Sequence, residues 1–368
     1  MNRNGQTLLA PPRTRRFTKK QLFAAKPSSR RNGRPKKSAP TPERLLQIAW
    51  GYAPAIILEA ALQYRIFDLL SIAPRTAGEL ADSTGSSKRG MVAIGDALVG
   101  LNFLEREGEK YKLAPESAAF LVSTRPGYCG AFFQHSVRQL IPRWLRLPEA
   151  VRTGRPVFAV NHEETGSEFF AEFVESLFPL GYPGAKALAG HLRLSDIRRP
   201  ASVLDIGAGS GVWGIALAQA SPRIRIHAVD WPAVLEVTRK VAARHGVADR
   251  LTCSAGDLLE AEFGHGHTVA TIGHIFHSEG PERSKALLRR TRDALAPGGT
   301  IAIAEWIPNK DRTGPPGALI FAVNMLVHTD EGNTFTFEEM SQWLLETGFK
   351  NPRLLDAPGP SPLVLATK

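Results

Sequence analysis

The stretch Val203–Gly214 (VLDIGAGSGVWG) constrains this 368-residue chain more than any other. An apolar run enters Gly207, Gly209 and Gly211, and a helical pattern follows at once. Glycine there allows a tight turn with positive φ and lets a ligand come close to the backbone. The free N–H groups at the start of the helix then face that ligand. The same rhythm continues downstream. Strands are predicted at Ser202–Ile206, Ile224–Asp230, Leu251–Ala255, Val269–Phe276 and Thr300–Ile307. Helices are predicted between them at Val212–Ala220, Ala233–His245 and Pro281–Leu295. A helix at Phe337–Thr347, capped by Thr336 with Glu339, precedes closing strands near Pro352–Leu355 and Leu363–Thr367. This alternation predicts an α/β domain over 201–368, a Rossmann-like, mostly parallel sheet with helices on both faces.

Upstream the pattern is different. Helical, apolar sequence from Leu45 to Leu70 is broken near Gly51 and Pro54. Thr76 and Glu79 form a capping box, and a helix over Ser87–Leu104 presents Met91, Ile94, Leu98 and Leu101 on one face. Glu105–Pro115 alternates around Gly108 like a hairpin. Helix, helix and hairpin over 41–122 suggest a winged helix. Lys88 and Arg89 invite a DNA-binding reading. The second helix is otherwise apolar, however, whereas base readout needs polar side chains, so packing or dimerisation is the preferred role. Residues 123–200 read as further helices.

The formal charge of +11 resides in the tail. Residues 1–40 hold twelve Lys or Arg and no acid, which leaves 34 basic against 35 acidic residues in the rest. That segment, rich in Ser, Pro and Gly, reads as disordered, with no more than nonspecific nucleic-acid contact expected of it. No apolar run is expected to span a membrane. Cys129 and Cys253 show no ligand spacing, so neither a metal site nor a disulfide framework is expected, and a cytoplasmic setting fits.

Nineteen residues after Gly211, the second strand ends in Asp230, where a carboxylate can accept both ribose hydroxyls of a nucleoside. Gly256-Asp257-Leu258 follows the third strand, within reach of an adenine amino group. A dinucleotide fingerprint would need glycine at position 212, which is Val212. Asp205 would be awkward beside a pyrophosphate but suits a sulfonium or amino group. A nucleoside cofactor is therefore expected, with Trp231 beside Asp230 a candidate to line its site.

On these motifs, residues 202–349 resemble the catalytic domain of class I methyltransferases, and 42–368 resemble the dimeric plant-type and bacterial small-molecule O-methyltransferases. The resemblance implies S-adenosyl-L-methionine as cofactor, a winged-helix dimerisation domain, a homodimer and a small-molecule acceptor of the phenol or pigment kind. It leaves the first forty residues uncovered.

Methyl transfer needs the acceptor positioned and, for a hydroxyl, a proton removed. A phenol with pKa about 10 is a poor nucleophile at neutral pH, and imidazole is a matched base. His277 stands where the family carries its catalytic histidine, and Glu305, 28 residues on, matches the first flanking glutamate. His274 is expected to line the cofactor or acceptor pocket. Two departures stand out. Ser278-Glu279-Gly280 replaces the usual Asp-Trp pair, and the second flanking glutamate falls near Thr334, so its role is vacant or moves to Glu331 or Asp330. Asn324, Met325 and His328 match the family's acceptor-pocket region, although as helix residues they would face a core equally well. His135 is a further candidate to close that pocket. Carbon or nitrogen methylation on the same scaffold, and a non-catalytic winged-helix regulator, are the rival functions.

Overall fold

The computed structural model describes residues 40–368, so the basic tail lies outside the described residues except for Pro40. The helix Glu43–Ala49 belongs to a compact unit ending at Trp50, and its Leu45, Leu46 and Ile48 are exposed. Gly51–Lys368 forms the second unit.

That unit opens with the helices Ala53–Gln63 and Ile66–Ile72, the short strand Arg75–Thr76 (β1) and the helices Ala77–Thr84 and Lys88–Gly100. A hairpin of Leu104–Glu107 (β2) and Lys110–Leu113 (β3) follows, turning at Gly108 with φ 62°. The expected capping box is present: the Thr76 side chain accepts from Glu79 N–H while Glu79 accepts from Thr76 N–H. The helix Lys88–Gly100 buries Met91, Gly95 and Leu98 in a core with Leu62, Phe67, Leu80 and Tyr111, so it serves packing. One expectation needs correction. The 21-residue stretch Glu43–Gln63 is long and apolar enough by composition to cross a membrane. Its helix is broken after Ala49, however, and from Ala53 onward it buries Leu58, Ala61 and Leu62 in this domain core.

The seven-stranded sheet is built from Ala201–Ile206 (β4), Ile224–Asp230 (β5), Leu251–Ala255 (β6), His267–Gly273 (β7), Leu295–Ala304 (β8), Lys350–Leu355 (β9) and Leu363–Thr367 (β10). Its order is β6-β5-β4-β7-β8-β10-β9. All pairs are parallel except those of β10 with β8 and β9. Alternate residues of β4 enter two cores, Val203 on one face with Ile215, Leu217 and Ile226, and Leu204 and Ile206 on the other with Ile272, Leu287 and Leu288. Each such side chain contributes about 1.5–3 kcal/mol. The chain runs outward from β4 through β5 and β6, then crosses back to β7 on the opposite side. Strand order therefore reverses between β4 and β7, and a crevice forms at their carboxyl ends.

Several boundaries differ from the sequence reading, and those beside the site matter most. β7 stops at Gly273 because His274 takes a left-handed φ of 61°, and the next helix, Phe276–Ala294, begins early and is interrupted at Gly280 (φ 71°, ψ 173°). His277 therefore sits in the first turn of a helix, not on a strand. β8 ends at Ala304, so Glu305 follows it directly.

Gly95 offers a test of this packing. A Cβ there would lie 2.5 Å from the Tyr111 ring, whose hydroxyl is held by Asp96 at 2.7 Å. We expect Gly95→Ala to destabilise by about 1–3 kcal/mol, although Ala is normally the better helix former. Gly100→Ala, in open space on the same helix, should be neutral or slightly stabilising. Chemical denaturation of both variants decides it, and equal effects would refute the contact.

Candidate active site

The glycine turn is held from three sides. Gly207, Gly209 and Gly211 have φ of 63°, 56° and 74°, values only glycine adopts freely. A side chain on Gly207 would run into Ile275. Gly209 N–H donates to Asp230 Oδ2 at 2.8 Å, and Thr238 Oγ1 donates to the Gly209 carbonyl at 2.7 Å. Asp230 Oδ1 also accepts from Trp231 N–H at 2.7 Å.

Asp205 is wholly buried, with Oδ2 accepting from Gly214 N–H at 2.9 Å and Oδ1 from the Thr271 hydroxyl at 2.8 Å. The structure thus gives Asp205 a task the sequence reading did not assign: it ties β4 to β7 and to the helix Val212–Ala220. Burial pushes its carboxyl up to about 7, with Asp230 adding to the effect, and burial pushes Asp230 up to about 6. Two hard-to-ionise carboxylates at the crevice favour a cationic ligand.

At the end of β6, Gly256 has φ 140° and Asp257 accepts from Leu259 N–H at 2.8 Å, while Leu258 packs on the second core. Arg283, which the sequence reading missed, donates to Asp257 Oδ2 at 2.8 Å and to Glu279 Oε2 at 2.5 Å. Burial pushes Glu279 up, and Arg283 partly counters it. Trp231 lies against the helix Glu163–Ala171, its ring 6.1 Å from Phe170.

His277 and Glu305 meet as their positions suggested. His277 Nδ1 lies 2.9 Å from Glu305 Oε2, and His277 N–H donates to Oε1 at 3.2 Å. Glu305 is 2% exposed. Burial alone would raise its pKa, but the two neighbouring imidazoles hold it below its ordinary value. An ionised carboxylate only accepts, so Nδ1 carries the proton and Nε2 the lone pair. The Phe321 ring stands edge-on to His277 at 4.9 Å and stacks on Trp306 at 5.3 Å. His274 bonds Ser361 Oγ at 2.9 Å, its ring 6.3 Å from that of His277, and burial lowers its pKa to about 4.

The family's second glutamate has no carboxylate counterpart pairing with the His277 ring among the described residues. Thr334 is buried there, Glu331 packs on Gly280, and Asp330 pairs instead with His162 at 2.7 Å. On the helix Pro316–His328, Asn324 Oδ1 accepts from Trp144 Nε1 at 2.8 Å and Met325 and His328 are buried. His135 stacks on Phe173 at 3.9 Å. No group of three potential metal ligands occurs among the described residues, and both cysteines are free.

Residues 144–350 match the O-methyltransferase domain family, and residues 46–123 match the O-methyltransferase dimerisation domain. The chain is 31% identical to 3-hydroxy-5-methyl-1-naphthoate 3-O-methyltransferase of Streptomyces sahachiroi, over 89% of this chain and 95% of that one. Its fold matches the crystal structure of a putative O-methyltransferase from Nostoc punctiforme with a TM-score of 0.81 and 29% identity, covering 90% of this chain and all of that one. It matches PigF with SAH with a TM-score of 0.77 and 26% identity, covering 89% of this chain and all of that one. The chain belongs to the S-adenosylmethionine-dependent small-molecule O-methyltransferases.

Proposed function

We propose that this enzyme methylates a phenolic hydroxyl of a small aromatic molecule, with His277 as general base. The observation that carries the reading is the 2.9 Å contact between His277 Nδ1 and the buried Glu305 carboxylate. It directs the Nε2 lone pair away from Glu305 to receive the acceptor's proton, and Glu305 stabilises the imidazolium that results. Phe321 and Trp306 offer aromatic faces beside the base, suited to an aromatic acceptor.

Bound S-adenosylmethionine supplies an electrophilic methyl group. The residues present fit it. In support, the positive-φ glycines Gly207, Gly209 and Gly211 let a ligand approach the backbone of the turn, the Asp230 carboxylate bonded to Gly209 N–H is suited to accept ribose hydroxyls, and Asp205 and Asp230, once ionised, favour a sulfonium nearby. Gly209, Gly211, Trp231, Gly256, Asp257, Leu258 and His274 complete our assignment of the cofactor side. His135, Asn324, Met325 and His328 form the acceptor side. The domains we assign are 41–122 for dimerisation, 123–200 for the helical acceptor region and 201–368 for cofactor and catalysis. We also infer a homodimer, since the dimerisation domain matches and the helix Glu43–Ala49 exposes three large apolar side chains. Light scattering should give twice the chain mass, and a monomer at micromolar concentration would refute this.

His277→Ala should lower kcat by about 10²–10⁴ with cofactor affinity unchanged. Glu305→Gln should lower kcat by about tenfold or more, because an amide can hold the imidazole in the wrong tautomer. Turnover surviving His277→Ala would exclude the base role and point to an acceptor that needs no deprotonation, such as an amine.

Asp230→Ala should weaken S-adenosylmethionine binding by about a hundredfold, two charge-assisted hydrogen bonds being lost. The pH dependence has a definite sign. Raising pH from 5 to 8 ionises Asp230 (about 6) and Asp205 (about 7). Affinity for the sulfonium should therefore rise relative to that for its neutral thioether product. Calorimetry with both ligands measures the ratio, and a ratio that falls with pH would contradict this placement.

A further inference from the structure

Nine described residues carry buried side-chain polar atoms without a hydrogen-bond partner, and the unpaired atoms of four of them fall in one region. They are both ring nitrogens of His135, Nε2 of His328, Nη1 of Arg143 and Oδ1 of Asn161. His135 is 6% and His328 1% exposed. Buried polar atoms in folded proteins are nearly always paired, so several such atoms gathered in one place suggest a partner supplied by a ligand.

They are gathered in one place. The Arg143 guanidinium lies 4.1 Å over the Phe158 ring and 4.7 Å over Phe169, and the His135 ring is 4.6 Å from the same Phe169. Val157 and Val160 N–H donate to the carbonyls of Val327 and His328 at 2.9 and 2.8 Å, which sets the segment carrying Phe158 and Asn161 against the end of the helix Pro316–His328. An open cleft of about 150 Å³, lined by His135, Gln139 and Glu172 among others, adjoins the cluster.

The cluster carries positive charge. Among the described residues no carboxylate lies within ion-pair distance of Arg143, whose Nη2 donates to Gln139 Oε1 at 3.1 Å. Glu172 acts on it only at longer range. Burial, with Arg143's charge adding, lowers the pKa of His135 and of His328 to about 4, so both imidazoles are neutral at pH 7. His328 Nδ1 lies 2.9 Å from the Asn324 carbonyl and must donate to it, which makes the unpaired Nε2 an acceptor. A guanidinium donor next to an imidazole is complementary to a carboxylate, one oxygen accepting from Arg143 and the other from His328 Nε2–H, the imidazole taking up a proton from solvent as the negative charge arrives.

We propose that Arg143, His135 and His328 bind a carboxyl group of the methyl acceptor, remote from its hydroxyl. The substrate is then a hydroxyaryl carboxylic acid. The proposal rests on the phenol-methylating reading above and adds the second end of the substrate. The separation follows from one helix. Phe321 touches His277, and His328 lies seven residues further along, roughly 10 Å at the rise of an α-helix. That distance suits a fused bicyclic or tricyclic aromatic, with Phe158 and Phe169 as walls at the acid end.

The test compares a hydroxynaphthoic acid, its methyl ester and the corresponding naphthol. Each is titrated by calorimetry into enzyme saturated with S-adenosylhomocysteine, and kcat/KM is measured for each with S-adenosylmethionine. Wild type should prefer the acid to both others by about tenfold or more, as expected for a charge-assisted contact. Arg143→Gln should bring the acid-to-naphthol ratio close to one and leave S-adenosylhomocysteine affinity unchanged. Arg143→Lys should keep part of the preference, and His135→Phe, which preserves the stacking, should reduce it. No preference in wild type, or equal weakening of all three compounds in Arg143→Gln, would overturn the proposal. So would a loss of S-adenosylhomocysteine affinity, which would assign the charge to the amino-acid end of the cofactor. Failure of the base reading would show in His277→Ala turnover and leaves these binding ratios untouched.

Discussion

A carboxylate sealed between two strands and a helix organises the crevice. Asp205 is next to last in β4, and its two oxygens take the Gly214 N–H and the Thr271 hydroxyl, so that the glycine turn, the helix behind it and β7 are fixed relative to one another. A buried carboxylate is costly, as its raised pKa records. It persists because both donors lie inside the protein, one on the neighbouring strand β7 and one in the first turn of the helix that follows the glycine turn.

His277, the base we propose, is placed by a second local departure from regularity. His274 in the left-handed region is strained for a residue with a side chain, by about 1 kcal/mol or more. Its N–H bonds the Ala304 carbonyl, and its ring bonds Ser361, which together hold it there. The turn it makes lifts the chain off β7 and swings His277 back over the end of β8, where Glu305 waits. The pair is thus made by two neighbouring strand ends and one kink.

The sheet, the capping boxes, the glycine turn and the His277–Glu305 pair were legible in the sequence because each is written in short-range pattern or in position relative to a strand end. What was not legible came from contacts across the chain. Arg283 bridges Asp257 and Glu279, and Phe321 meets His277. Arg143 is inserted between Phe158 and Phe169. Each joins segments whose spacing carries no period. The strand end at Gly273 was missed for a related reason, since a histidine with positive φ carries no sequence signal as glycine does. Asp205 was recognised as important, but its partners, a hydroxyl on β7 and a helix N–H, depend on sheet order.

The contact between Gly207 and Ile275 has a consequence for how such an enzyme changes over time. Ile275 occupies the space that a side chain at position 207 would need, and it lies two residues before His277. The turn and the base are therefore in steric register, the absence of one side chain being the presence of another. A substitution in the turn would move His277 as well as the turn, so the cofactor loop and the base we propose can change only together. The acceptor end we propose is built from separate helices and lies outside this contact.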